Sequence, residues 1–355
     1  MMFSVPALAA TSAARFPRTR YQGSKRKLAA TIVEHLHDLE FTTVLDAFGG
    51  TGAVSHALKA IGKHVTYNDN LAFNHQIGLA LIENDSVRLD DEQIESIAVR
   101  RRGVPYGDFI ERTFGGIYFT DDENRWLDTA VGNIRSIKGR YQRALAWFAL
   151  FQSAMAKRPY NLFHRRNLYM RMAHVTRSFG NKATWDRSFQ DHFRRFAKDA
   201  NAAVIDGQGR CRATCMDASE AETGYNLVYI DPPYVNHAGT GVDYHRFYHF
   251  LEGLVRYEEW PLLIDHRFKH RPLARLDQPW SDARRIKTMF QAIFTRFRDS
   301  ILALSYRSDG VPTIGELVSM MRDVKRRVRV VEGPSYQYAL STNSESSEVL
   351  LISQD

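Results

Sequence analysis

Several features that define whole classes of protein are scarce or missing in this sequence. Its 355 residues include only two cysteines, Cys211 and Cys215. Two are too few for a disulfide framework or a zinc site, and they predict a reducing, cytoplasmic compartment. No stretch approaches the roughly 18 apolar residues of a membrane span. Residues 1–14 lack a basic start followed by a sustained apolar run, so they are predicted to be a flexible tail rather than a signal peptide.

The composition is that of an ordinary globular protein with an excess of positive charge. Hydrophobic residues make up 44% and charged residues 25% of the chain, which excludes a disordered protein. The formal net charge of +8 favours a polyanionic partner. Residues 157–198 hold 11 Lys or Arg against two Asp, so the excess is local. Interleaved aromatic residues suit contacts with phosphates and bases, although a solvated helical face is the simpler alternative. These aromatic residues are Tyr160, Phe163, Tyr169, Phe179 and Trp185.

Two kinds of segment alternate along the chain and predict an α/β protein. Residues 42–48, 64–67, 211–216, 226–230, 300–305 and 348–352 form the short apolar runs typical of strands. A helix at 53–60 joins the first two strands, which predicts a βαβ unit and hence a parallel sheet. Strand signals vanish between about 85 and 201. We therefore predict a sheet domain of residues 15–84 and 202–355, split by a largely helical, basic insert at 85–201.

A glycine-rich loop follows the first predicted strand in the sequence DAFGGTGAVS. The strand delivers Asp46 and Phe48, while Gly50 and Gly52 let the backbone turn sharply and approach a nucleotide-like ligand. Asp69 lies 21 positions after Phe48, where an acidic residue would hold ribose hydroxyls. A serine replaces the last glycine or alanine of the dinucleotide fingerprint, which disfavours nicotinamide. The alternative is a tight structural turn, with Asp69 as a capping residue.

The strand at 226–230 ends in Asp231-Pro232-Pro233-Tyr234, at the edge where open α/β sheets bind ligands. Transfer of a methyl group to a conjugated amine would use these groups. The Asp231 carboxylate and the Pro232 carbonyl would accept the two amine hydrogens and turn the nitrogen lone pair toward the methyl group. Tyr234 would stack on an extruded base. The alternative is a proline-rich turn with an exposed carboxylate.

These two motifs, together with the segment Arg20 to Lys25 (RYQGSK), resemble DNA adenine methylases with the α-type motif order over most of residues 21–352. The resemblance implies a Rossmann-like methyltransferase fold, S-adenosyl-L-methionine as cofactor and the N6 amine of a flipped adenine in double-stranded DNA as substrate. It implies that Tyr21 and Lys25 contact the cofactor, with Lys25 at the methionine carboxylate. It also implies that Asp217 lies near the cofactor's adenine, and that Ser305 and Tyr306 lie beside the target pocket.

The resemblance is closest to modification enzymes of restriction systems, which carry segments like those at Lys157 to Arg171 and Phe247 to Leu254. It makes a cognate restriction endonuclease a possible partner and the basic insert the predicted DNA-recognition region. The residues predicted to contact DNA there are Lys157, Arg158, Arg165, Arg166 and Arg171.

Three other functions share part of this pattern. An RNA adenine methylase uses the same pocket chemistry, and a cytosine methylase more often has serine in place of Asp231. A DNA-binding subunit without catalysis would be expected to lose Asp231, Tyr234 or the glycine loop. Histidines at 245 and 249, and at 266 and 270, have helical spacing, but no third ligand accompanies them, so no metal is expected.

Overall fold

A computed structural model describes residues 15–173, 182–236, 239–335 and 346–354. The predicted tail at 1–14 and Phe179 of the insert lie outside these described residues.

Seven strands in the described part of the chain form one sheet, in the order β3-β2-β1-β4-β5-β7-β6. Strands β1 to β5 run parallel, and β7 lies antiparallel between β5 and β6. Six of them match predicted strands. The sequence analysis missed β6, whose alternation of arginine and valine marks a strand with one exposed face. The bounds are β1 Thr43–Asp46, β2 His64–Asn68, β3 Arg212–Thr214, β4 Leu227–Ile230, β5 Ile301–Arg307, β6 Arg327–Ser335 and β7 Ser347–Gln354.

Helices cover both faces of the sheet. Those before β3 are α1 Ala29–Leu36, α2 Ala53–Ala60, α3 Ala72–Gly78, α4 Asp91–Ser96, α5 Phe109–Phe114, α6 Asp121–Ser136, α7 Arg140–Ala156, α8 Leu168–Met172, α9 Lys182–Asp186 and α10 Phe189–Ala203. Those after β4 are α11 Tyr244–Phe247, α12 His249–Val255, α13 Trp260–Leu263, α14 Ile286–Arg296 and α15 Ile314–Arg322. A π-helical turn, Leu79–Glu83, extends α3.

Alternating residues of the strands point into two apolar layers. Val44 of β1 faces the layer that contains α1, α2, α3 and the insert helices. Leu45, its neighbour in the chain, faces the layer built by α14 and α15. This arrangement of parallel strands between helices confirms the predicted α/β, Rossmann-like fold.

The insert is helical, as predicted, and it shares the core of the sheet domain. Helix α7 is buried continuously from Ala144 to Ala156, and it packs against α3, α10 and the π-helical turn. The predicted boundary at residue 201 falls inside α10. Among the described residues, the helices are all too short or too polar to cross a membrane.

Candidate active site

The loop between β1 and α2 is shaped around a tyrosine ring. Gly50 and Gly52 have φ angles of 51° and 77°, left-handed values that glycine adopts without strain. A Cβ atom on Gly49 would lie 2.1 Å from the Tyr67 ring. The Tyr67 hydroxyl in turn donates a hydrogen bond to the Gly50 carbonyl at 2.7 Å. The glycines thus allow a tight turn over the Tyr67 ring at the carboxyl end of the sheet.

Asp69 follows β2 and ties this loop to α3. Its Oδ2 accepts hydrogen bonds from the Gly50 amide at 2.9 Å and from the Asn74 side chain at 3.0 Å. Its Oδ1 accepts from the Leu71 amide at 2.9 Å. Burial raises the pKa of Asp69 to about 6. The carboxylate therefore supports the turn and also lines the pocket that the loop borders.

Asp46, the last residue of β1, has an unused acceptor in the same pocket. Its side chain is 2% exposed, and its Oδ2 accepts from the Ser55 hydroxyl at 2.5 Å. The other oxygen, Oδ1, is buried and has no hydrogen-bond partner among the described residues. Burial raises the pKa of Asp46 to about 7. Since a buried acceptor without a donor is costly, this oxygen marks a place where a ligand would supply the donor.

The pocket has a volume of about 880 Å³, part of it open to solvent. Gly52 caps the N-terminus of α2 instead of lining it. All the other residues predicted to bind the cofactor line the pocket, namely Tyr21, Lys25, Asp46, Phe48, Gly50, Asp69 and Asp217. One pocket therefore collects residues from segments that lie almost 200 positions apart in the chain.

Two aromatic residues that line this pocket, Tyr244 and Trp280, were not predicted from the sequence. The Tyr21 ring lies nearly parallel to the Tyr244 and Tyr248 rings, at centroid distances of 5.4 and 4.5 Å. Trp280 meets Phe48 edge-on at 4.8 Å. Tyr244 and Trp280 both line the pocket, and they come from the segment after β4, where no sequence motif singles them out.

Asp231 and Pro233 reach the same pocket from the carboxyl end of β4. Among the described residues, the hydrogen bonds to Asp231 all end on Oδ1, from the Lys25 ammonium at 2.7 Å and the Tyr234 hydroxyl at 2.8 Å. Oδ2 is left for another donor. Burial raises the pKa of Asp231 above its ordinary value, although Lys25 counteracts this.

Lys25 lies between two carboxylates. Its Nζ is 2.7 Å from Asp231 Oδ1 and 3.2 Å from Glu348 Oε1, and it also donates to the Tyr234 hydroxyl. Burial alone would lower the pKa of Lys25, but the two carboxylates outweigh burial and raise it. The resemblance implied a role at the methionine carboxylate, whereas the structure engages this ammonium with the Asp231 motif.

Tyr306 does not reach the pocket, and the prediction that it contacts substrate is wrong. The residue is fully buried, and its hydroxyl donates to the Val311 carbonyl at 2.6 Å. Its ring meets Tyr234 edge-on at a centroid distance of 5.2 Å. Because β5 directs this side chain into the core behind Tyr234, Tyr306 supports the motif from the rear. Ser305 likewise faces away from the pocket and donates to Glu348 at 2.6 Å.

Three of the five basic residues predicted to contact DNA are buried, and for them the prediction is wrong. Lys157, Arg158 and Arg171 are 2%, 1% and 8% exposed. Lys157 and Arg171 share the Glu123 carboxylate, at 2.8 and 2.6 Å. Arg158 donates to two backbone carbonyls and lies over the Tyr118 ring at 4.4 Å. Lys157 and Arg171 are paired with Glu123, and Arg158 is enclosed by backbone carbonyls and an aromatic ring, so these three side chains are not presented to a phosphate.

Arg165 and Arg166 remain exposed, beside Tyr160 and Tyr169, which are 55% and 71% exposed. Arg165 also lines a cleft of about 2130 Å³, part of it open to solvent. Gln278 lines both this cleft and the pocket. Four exposed arginines border the cleft, and none forms an ion pair with a described residue. They are Arg165, Arg246, Arg275 and Arg284.

The segments at 157–171 and 247–254, which carried the resemblance to modification enzymes, pack against each other. Phe163 donates its amide to the Phe247 carbonyl at 2.9 Å and stacks on Phe250 at 5.0 Å. His249 is buried and approaches the Phe163 carbonyl and the Tyr118 hydroxyl. Across the described ranges, no three His, Cys, Asp or Glu side chains come together in a way that could hold a metal.

Comparison with known proteins agrees with this geometry. The chain is 28% identical to the type II methyltransferase M2.HphI of Haemophilus parahaemolyticus over 348 residues, which are 95% of this chain and 97% of that protein. It is 24% identical to the modification methylase LlaI of Lactococcus lactis subsp. lactis over 92% of this chain, which spans only 52% of that protein.

The match that decides the family is to the D12 class N6 adenine-specific DNA methyltransferases, over residues 21–271. This range contains the Tyr21 segment, the glycine loop, the insert and the Asp231 motif. Because this family methylates adenine in DNA, the match disfavours an RNA adenine methylase, a cytosine methylase and a DNA-binding subunit without catalysis. The chain therefore belongs to the family of D12 class N6 adenine-specific DNA methyltransferases.

Proposed function

We propose that this methyltransferase takes its methyl group from S-adenosyl-L-methionine and transfers it to an adenine flipped out of double-stranded DNA. One observation carries the proposal: Asp231 Oδ2 and the donorless Asp46 Oδ1 belong to one pocket bordered by the glycine loop. The carboxylates of Asp46, Asp69 and Asp217 fit the cationic amine and the hydroxyls of this cofactor. Tyr21, Phe48 and Trp280 supply apolar walls.

The chemistry assigns different roles to the cofactor and to the residues around Asp231. The bound cofactor supplies an electrophilic methyl group on a sulfonium, which becomes a neutral thioether as the N6 lone pair forms the new N–C bond. Asp231 Oδ2 and the Pro232 carbonyl would accept the two N6 hydrogens and orient that lone pair. Asp231 then accepts the N6 proton and releases it to water. Pro233, which lines the pocket, would hold the flipped ring. Tyr234 is buried and does not line the pocket, so its role would be to position Asp231 through its hydroxyl.

The cleft beside the pocket is our proposed path for the DNA backbone. Its four exposed arginines come both from the insert and from the segment after β4. Gln278 joins the cleft to the pocket, so a strand held there would present its flipped base to Asp231. Exposed Arg166 and Tyr169 extend this surface. The DNA interface is therefore shared between the insert and the catalytic domain. We assign residues 15–84 and 202–355 to the catalytic domain and residues 85–201 to the insert.

The names of the two relatives suggest a biological setting. A type II methyltransferase and a modification methylase point to site-specific methylation in a restriction-modification system, with a cognate endonuclease as partner. Sequencing modified bases in the DNA of a methylation-free host that expresses this protein tests this directly. We expect N6-methyladenine within one short motif. Methylation of every adenine context, or none, would count against it.

Cofactor binding should depend on pH through Asp46. Only its ionised form can accept from a cationic amine, so we expect the affinity for S-adenosyl-L-methionine to fall as pH drops through about 7. Asp46→Asn should bind roughly 10-fold more weakly at pH 8, with little further change on acidification. Calorimetry without DNA measures both.

The exposed Asp38→Asn variant is the matched control and should bind like wild type with the same pH dependence. Equal affinity of wild type and Asp46→Asn at pH 8 would refute this use of Asp46.

The cleft arginines should contact phosphates rather than read bases. We expect Arg246→Ala and Arg275→Ala each to weaken binding to cognate and mismatched duplexes alike, and each to lower the slope of log K against log salt by about 1. Fluorescence anisotropy at several salt concentrations measures this.

Arg322→Ala, exposed on α15 away from the carboxyl ends of the parallel strands, is the control that should leave affinity and slope unchanged. Unchanged slopes for both cleft variants would place the DNA elsewhere.

A further inference from the structure

We infer that Glu348, a buried carboxylate on β7, is a positioning residue for methyl transfer: it holds Lys25 and the Tyr234 hydroxyl and keeps the Asp231 site negatively charged. Its side chain is 5% exposed. It lies outside the residues that match the family, and 114 positions after Tyr234 in the chain. This inference rests on the proposed role of Asp231.

Contacts from three elements converge on one oxygen of Glu348. Oε1 accepts from the Ser305 hydroxyl of β5 at 2.6 Å, and the Tyr234 hydroxyl, whose single hydrogen Asp231 and Glu348 share, lies 3.0 Å from it. The Lys25 ammonium lies 3.2 Å away. Tyr234 and Lys25 each contact Asp231 as well. Glu348 and Asp231 therefore contact the same hydroxyl and the same ammonium.

Glu348 has its largest effect on the net charge of the cluster that it forms with Lys25 and Asp231. With Asp231 alone, the Lys25 ammonium would neutralise the carboxylate that must accept the amine hydrogens. The second carboxylate leaves one ammonium between two carboxylates, and the cluster keeps a net charge of −1. Positive charge develops on N6 as it takes the methyl group, so a negative cluster at this edge of the pocket stabilises that transition state.

Burial makes this carboxylate costly to retain for packing alone. The neighbouring residues of β7, from Val349 to Ile352, are buried and apolar, and a charged group among them loses its hydration. Because β7 runs antiparallel between β5 and β6, residue 348 comes opposite Arg307 at the end of β5. That register carries Glu348 to the carboxyl edge of the parallel strands, where the site lies.

The pH profile separates an electrostatic role from a structural one. Burial has the largest effect on the pKa of Asp231 and raises it. The Glu348 carboxylate raises it further, while Lys25 lowers it. Removing the charge of Glu348 should lower that pKa. Activity requires ionised Asp231, so the acidic limb of the profile should move to lower pH. The other titratable groups that face the two carboxylates from the described elements are Lys25, Asp46, Tyr229, Tyr234, Tyr244 and His35.

The experiment measures kcat and kcat/KM for a cognate duplex against pH, with S-adenosyl-L-methionine saturating so that Asp46 does not contribute. For Glu348→Gln we expect kcat to fall about 10- to 100-fold. KM should change little, and the acidic limb of kcat/KM should move down by at least about half a pH unit. Glu348→Asp keeps the charge and should retain the wild-type limb.

Glu332→Gln is the matched control, because Glu332 is exposed on the adjacent strand β6 and should behave like wild type. A folded Glu348→Gln with wild-type kcat and an unmoved limb would overturn the inference. A second pair of results would also overturn it, by showing a structural role. In that case Glu348→Gln does not fold, and Glu348→Asp is fully active but its acidic limb moves. Failure of Asp231 variants to affect activity would instead refute the proposed function beneath it.

Discussion

Replacement of Asp231 by alanine should reduce methyl transfer by roughly 100- to 10,000-fold, the range for loss of a positioned proton acceptor. The side chain lines the pocket with Oδ2 open to a donor, while Oδ1 is held by Lys25 and Tyr234. Without the carboxylate, the N6 lone pair is no longer oriented and its proton has no acceptor. Single-turnover transfer of a radiolabelled methyl group to a cognate duplex measures the loss.

Cofactor affinity should stay near wild type in Asp231→Ala, because Asp46, Asp69 and Asp217 line the pocket as well and remain in place. Lys25 keeps Glu348 as a partner, so the fold should also persist. The exposed Asp323→Ala variant serves as control for an aspartate lost from the surface. Turnover of Asp231→Ala within a few-fold of wild type would disprove the proposed mechanism.

Glu123→Ala should lower the free energy of unfolding by about 3 to 5 kcal/mol, the usual cost of leaving buried charges without their partner. Glu123 forms a capping box with Thr120 at the start of α6. Its carboxylate also holds Lys157 and Arg171. Burial alone would raise the pKa of Glu123, but Arg171 and Lys157 outweigh it and hold the pKa below its ordinary value. Urea denaturation followed by circular dichroism measures the change.

The pH dependence of this contribution follows from that lowered pKa. Stability from an ionised, paired carboxylate is complete above the pKa of the unfolded chain and is lost as pH falls through the folded value. The difference between wild type and Glu123→Ala should therefore shrink in acid.

Glu316→Ala is a matched control, because Glu316 forms the same capping box on α15. Its ion pair with Lys287 is exposed, unlike that of Glu123. It should cost only roughly 1 kcal/mol. Equal losses for the two variants would contradict the buried role of Glu123.

The charge excess of residues 157–198 shows where sequence composition misleads. Eleven basic residues against two acidic ones predicted a DNA-binding face. The structure pairs two of these basic residues with Glu123, which lies more than 30 positions earlier, and Arg194 with Glu95. A count of charges within one stretch of sequence leaves out the ion-pair partners that folding brings from other parts of the chain.

Missed residues follow the same rule. Trp280, Tyr244 and Glu348 belong to no recognised sequence motif, yet each reaches the pocket or the Asp231 motif. Only Glu348 carried a signal, as one charge opening the apolar strand EVLLI. That signal does not say which face of the sheet the side chain joins.

By itself the sequence determined the strand, glycine turn and helix of 43–60, the α/β class and the Asp231-Pro232-Pro233-Tyr234 motif that the family match supports. These depend on short-range rules: apolar alternation, glycine at left-handed φ and residues adjacent in the chain. The tertiary structure alone decided that Lys25 meets Asp231 and Glu348, that Arg158 is buried and that Tyr306 lies behind Tyr234. Those facts depend on strand order and helix packing, which join residues up to hundreds of positions apart through contacts that no local pattern encodes.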